Sequence, residues 1–292
     1  MRTLLIDPFH GAAGDMITGA LLSLIDEKER VLQAMASVVG EPGTEVVRRS
    51  GITALKVHTH ALGTHRTADE VLAKIHSAKV PPEVIERAIK IFNRISSAES
   101  RVHGYDLRCG SNPEEKSLDH RYTLDHHDCH STMHFHEVGA DDAIADIIGS
   151  CMALHILKPD RIVVLPVSTG FGTVKIEHGI VPVPAPATAA ILSDSSLIVL
   201  IGGGAGELLT PTGAAILAEI ASETSDGNTG ELKGTIVGIG YGAGSRDDKN
   251  SPNVIRMMLF EEISGGISKV NKERIDLPET DADVAQERYR VL

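Results

Sequence analysis

Apolar positions open the chain at Leu4, Leu5 and Ile6 and stop at Asp7, which predicts a buried strand over Thr3 to Ile6. A Gly-containing turn from Asp7 to Gly14 then leads into an amphipathic helix over Asp15 to Ile25. Residues 44–62 alternate around Gly51 and predict a pair of short strands. Two helical periods follow, over roughly 67–77 and 81–101, the second entered through Pro81-Pro82, where a missing N–H is harmless. Residues 103–133 lose apolar periodicity and turn polar and His-rich, reading as an exposed loop or a partly disordered insertion. From Asp141 a helix extends to about Leu157; Pro159-Asp160 turns the chain, and Arg161 to Val167 reads as a strand. Helices are expected from Pro186 and from Pro211, with Thr210 as N-cap, and the strands GTIVGIGYGAG and NVIRMMLF complete the folded part. The expected organisation is one main α/β (mixed α+β) domain over 1–263, with a polar tail over 264–292.

Composition narrows the setting. Aromatic residues make up 3% with no Trp, so the core must be aliphatic. The N-terminal apolar run is too short for a signal peptide, no apolar stretch reaches membrane-spanning length, and three cysteines do not make a secreted disulfide framework. A cytoplasmic protein is expected. The net charge of −12 argues against a nucleic-acid-binding face. Against this ordinary background stand 14 histidines, of which His103, His120, His126, His127, His130, His134 and His136 lie close together.

The candidate chemistry centres on HFHEVGADDAIAD, residues 134–146. In an extended backbone His134 and His136 share a face while Phe135 packs inward. Two imidazoles beside Glu137 suit nickel, zinc or copper, and are otherwise a pair of surface histidines on a strand edge. In the helix that follows, Ile144, Ile147, Ile148, Cys151 and Leu154 form the core stripe. Asp142 and Asp146 lie opposite, beside the small residues Ala145, Gly149 and Ala153. That pattern implies close approach by a backbone or a ligand; the alternative is a packed helix in which Asp142 only complements the positive N-terminus. Asp141, Asp142 and Asp146 are thus candidates for metal binding or proton handling. Upstream, His126, His127 and His130 offer further donors at spacings unlike a closed zinc site. The first turn adds Asp7, His10 and Asp15 around a strand-to-helix loop, where α/β proteins often bind ligands. Two glycine-rich runs are candidate anion loops. One is Gly202 to Gly206 leading to Thr210 and Thr212 at a helix start, for which a plain turn is the simpler reading; the other is Gly238 to Gly244, with Gly240, Gly242 and Gly244, before Arg246, which reads equally as a phosphate clamp or a turn. A faint echo relates Phe9-His10-x-x-Ala13-Gly14-Asp15 to Phe135-His136-x-x-Gly139-Ala140-Asp141, through duplication or chance. No GxSxG, CxxC, HExxH or Walker lysine occurs.

Several long motifs in fixed order resemble one family. They are DPFHGAAGDM, AIKIFNRISSAESRVHG, HFHEVGADDAIADIIG, TGFGTVKIEHGIVPVPAPATAAIL, ELLTPTGAAIL and GYGAGSRD followed by PNVIRMML, spanning about residues 3 to 260. Together they are similar to the LarC-like nickel-insertion proteins of nickel-pincer cofactor biosynthesis. The resemblance implies a nickel chelatase, a lyase that inserts Ni2+ into pyridinium-3,5-bisthiocarboxylic acid mononucleotide at the expense of CTP, with Mn2+ or Mg2+. It implies a lactate racemase-type apoenzyme as recipient, and a homo-oligomer is the expected assembly. Full-length members continue into a further domain associated with metal and CTP, where this sequence has SGGISKVNKERIDLPETDADVAQERYRVL. The expectation is a nickel chelatase; the alternatives are a non-catalytic nickel metallochaperone or store, the N-terminal half of a split chelatase whose C-terminal domain is a separate polypeptide, and a truncated or diverged relative.

Overall fold

The computed structural model describes residues 1–59, 66–103, 134–135, 141–176, 179–222, 232–246 and 252–262. The described residues fall in one compact unit, Met1–Glu262. It begins with β1 (Arg2–Asp7), α1 (Gly14–Leu22) and α2 (Lys28–Ala36), then the hairpin β2 (Gly43–Arg49) and β3 (Ile52–His58). Next come β4 (Arg66–Thr67), α3 (Ala68–His76) and α4 (Pro82–Val102), followed by β5 (His134–Phe135) and α5 (Asp141–Leu157). The remaining elements are β6 (Arg161–Val164), β7 (Val167–Phe171), β8 (Thr173–Ile176), β9 (Gly179–Pro182), α6 (Pro186–Ser193), β10 (Val199–Glu207), α7 (Pro211–Ser222), β11 (Gly234–Ala243) and β12 (Val254–Glu262).

The main sheet has the order β2-β3-β11-β12-β1-β6. β1 is parallel to β6 but antiparallel to β12, and β11 is antiparallel to β12 but parallel to β3. The fold is α/β with a mixed sheet, as the sequence predicts. The expected strand over Arg161 to Val167 is two strands instead. Pro166 has no N–H to donate, and the chain changes sheets there: β6 joins β1, whereas β7 pairs with β10. The triple-glycine run is also not a simple turn, because it lies inside β10, whose pairing with β7 is broken by repeated register shifts.

Helix α1 is the centre of the core. All its residues except Asp15 are buried, and it lies directly on the sheet. A Cβ added at Gly240 would stand 2.2 Å from the Ala20 carbonyl oxygen, and one at Gly242 1.8 Å from that of Met16. Only the absence of side chains lets α1 settle so low. On its other side α1 meets α5, which is buried over nearly its whole surface. The Thr18 and Ser150 hydroxyls hydrogen-bond there at 2.9 Å, and a Cβ at Gly149 would meet Met35 Sδ at 2.7 Å and Thr18 Cγ2 at 3.0 Å. The small-residue face of α5 is therefore closed by α1 and α2 along most of its length. It opens only at its first turns.

Candidate functional site

Three helices begin around one pocket of about 470 Å³, which the first turns of α1, α5 and α7 all line. Backbone pairing sets two of these turns side by side: the Ala12 N–H donates to the Leu208 carbonyl and the Thr210 N–H to that of Ala12, each at 3.0 Å. Gly213 makes the fit possible, since a Cβ there would lie 2.3 Å from the Ala12 oxygen. Thr210 caps α7 as expected, its hydroxyl accepting the Gly213 N–H at 3.2 Å, and Pro211 occupies the first helical position. Helix starts carry unpaired N–H groups and positive dipole ends, so the pocket gathers partial positive charge from three directions.

The carboxylates of Asp15, Asp142 and Asp146 face that pocket. Ala13, the N-cap of α1, has no polar side chain, and Asp146 of α5 supplies the missing acceptor by taking the Asp15 N–H. It is packed tightly enough that a Cβ at Gly14 would stand 2.6 Å from its Oδ2. Asp15 accepts the Met16 N–H at 2.8 Å and Asp142 that of Ala143 at 2.9 Å. Burial raises the Asp15 carboxyl to about 6, the Asp142 charge adding to the rise while the Met16 N–H and Lys56 oppose it. Asp146 is pushed well above the usual carboxylate range by burial, then by the charges of Asp15 and Asp142. Folding thus places carboxyl groups where their ionised forms are unfavourable, an arrangement common at functional sites and relieved by a bound cation. Among the described residues, no three His, Cys, Asp or Glu side chains converge into a finished metal site.

The other predicted residues are placed as follows. Thr210 and Thr212 line the same pocket. Asp141 does not; it is ion-paired with Arg66 at 2.6 Å and with Lys74, and these contacts outweigh burial to lower its carboxyl. Asp7 pairs with Arg256 of β12 at 2.5 Å. Gly240 and Gly242 face α1, and Gly244 packs against the Asn253 side chain. Arg246 donates to the carbonyls of Glu207 at 2.6 Å and Ala205 at 3.3 Å, tying down the end of β10. The His134 backbone pairs with Thr67 in the β4–β5 ladder. His126, His127, His130, His136 and Glu137 lie outside the described residues. Sequence reasoning passed over Lys56 and His58 of β3, Lys175 of β8 and Glu207 of β10, all of which line the pocket. The alternation in LKVHTH was a signal for the first two, whereas the contribution of Lys175 depends on where its hairpin folds.

A family model described as nickel insertion protein matches residues 4–114 and 125–289. The chain is 39% identical over 286 residues to a relative from Methanococcoides burtonii and 37% identical to one from Methanosarcina barkeri. In both cases 97% of this chain aligns with 64% of the relative. A relative from Wolinella succinogenes is 37% identical over 270 residues, covering 90% of this chain and 61% of its own length. All three are named for nickel insertion, and the chain spans under two thirds of their length. No solved structure matches. With matches running through both strand-to-helix loops that build the pocket, the chain belongs to the nickel insertion protein family.

Proposed function

We propose that the pocket between the starts of α1, α5 and α7 is where nickel is passed to an organic acceptor, and that the acceptor is pyridinium-3,5-bisthiocarboxylic acid mononucleotide. The observation that carries the reading is the grouping of Asp15, Asp142 and Asp146 in a pocket of a nickel-insertion family member. Oxygen donors hold nickel more loosely than sulfur donors, so an ion held by carboxylates moves readily to two thiocarboxylate sulfurs. An unfinished coordination shell suits a cargo ion that must leave. The cation also displaces protons, so loading weakens as pH falls through the Asp15 value of about 6. The His-rich segment with His126, His127, His130, His134, His136 and Glu137 collects nickel for this pocket. CTP, with Mn2+ or Mg2+, supports the same insertion.

The test is to incubate purified protein with nickel, CTP and the bisthiocarboxylate mononucleotide and to look for the nickelated product by mass spectrometry. The reading expects product, either from this chain alone or on addition of a polypeptide corresponding to the part of the relatives that it does not span. Tight nickel binding with no product under either condition would replace it with a nickel store.

A further inference from the structure

The pocket carries cationic groups that nickel binding does not use. Lys56 comes from β3 and Lys175 from the β8–β9 hairpin, so each enters from an element other than the helices that bring the aspartates. Neither lysine forms an ion pair among the described residues, although ion pairs are made elsewhere by Lys74, Arg66, Arg94 and Arg256. Thr59, Thr210, Thr212 and Ser245 add hydroxyl groups to the same lining. A pocket meant for a divalent cation alone gains nothing from two lysines, since like charge repels the ion. Two ammonium groups, several hydroxyl donors and the start of α7 are, however, the chemistry that holds a phosphate monoester.

We propose that Lys56, Lys175, Thr210 and Thr212 seat the terminal phosphate of a mononucleotide, which directs its base towards Asp15, Asp142 and Asp146. The inference rests on the pocket being the nickel-transfer site, and it assigns the phosphate a place different from the Gly238–Arg246 run. There β11 is covered by α1, and Arg246 is already bonded to two carbonyls. Seating the phosphate on lysines that come from β3 and β8, and not from the helices that carry the aspartates, fixes the direction in which the ring enters. A free base without its phosphate loses that guidance.

The experiment is calorimetric titration of the full chain with nicotinic acid mononucleotide, a pyridinium mononucleotide, and with the corresponding riboside lacking phosphate. Wild-type protein is expected to bind the mononucleotide about tenfold or more tightly than the riboside, with inorganic phosphate competing. The variant K56Q/K175Q is expected to bind the two within about threefold of each other. Equal binding of both compounds by the wild type overturns the proposal whatever the variant does. Retention of the tenfold preference by K56Q/K175Q overturns it as well. Nickel uptake by the wild type, measured in the same preparations, reports on the aspartates. Phosphate discrimination without nickel uptake would sink the nickel-transfer reading alone, and nickel uptake without discrimination would sink the phosphate seat alone.

Discussion

Replacing Asp15 by Asn separates the stability of this fold from its chemistry. Burial raises the Asp15 carboxyl from 3.8 to about 6, roughly 2 pH units at about 1.36 kcal/mol each, so its ionised form costs about 3 kcal/mol in the folded state. Because the folded value is the higher one, the folded chain binds more protons than the unfolded chain between about pH 4 and pH 6. The stability linked to that proton is complete below about pH 4, declines through the window, and is absent above about pH 6. An Asn side chain keeps the acceptor for the Met16 N–H but never ionises. The variant should therefore be more stable than wild type by up to about 3 kcal/mol at pH 7.5 and by about half of that at pH 5, as followed by urea unfolding. Nickel affinity should move the other way, falling about tenfold or more. A buried carboxylate with no part in nickel binding would show the pH-dependent gain without the loss of nickel. The reasoning is refuted if D15N is no more stable than wild type at pH 7.5, or if its advantage does not shrink at pH 5.

Other substitutions test the rest of the arrangement. Asp141→Asn removes the acceptor for Arg66 and Lys74 and should destabilise by about 1–2 kcal/mol above pH 5, with nickel affinity in calorimetry within about twofold of wild type. Its carboxyl is lowered in the folded state, so that deficit should disappear as the pH falls through the lowered value. Gly14→Ala forces Asp146 off the start of α1 and should weaken nickel binding while costing about 1–3 kcal/mol in urea unfolding. Arg246→Ala should cost about 1 kcal/mol through loss of its bonds to β10 and leave mononucleotide affinity unchanged. Deleting residues 105–133 should lower the number of nickel ions bound per chain in equilibrium dialysis without altering mononucleotide binding.

Much of the architecture was legible because hydrophobic period and turn chemistry agree. Pro81-Pro82 does open α4, Thr210-Pro211 does open α7, and Gly51 does separate two paired strands. Helix α2 was missed because its buried stripe is only Val31, Ala34 and Met35, too short a pattern to stand out. Of the site, Asp142 and Asp146 could be singled out because one helix turn separates them and small residues surround them. Their small-residue face is occupied mainly by α1 and α2, which is the close approach of a backbone, and it borders the pocket only at the first turns of α5. Lys56 and Lys175 were invisible because nothing in either strand's own pattern says which pocket it will border.

The alternate glycines of β11 resemble a ligand-binding loop when read as letters, yet in the fold they act as a bearing surface. They fix the depth at which α1 rests, and α1 carries Asp15 at its first turn. Depth and chemistry are therefore coupled: a single methyl group added at Gly242, against the carbonyl of Met16, the residue that follows Asp15, would raise the helix off its seat and shift the carboxylate beside it. Some of the tightest limits on this pocket accordingly come from residues that never touch its contents.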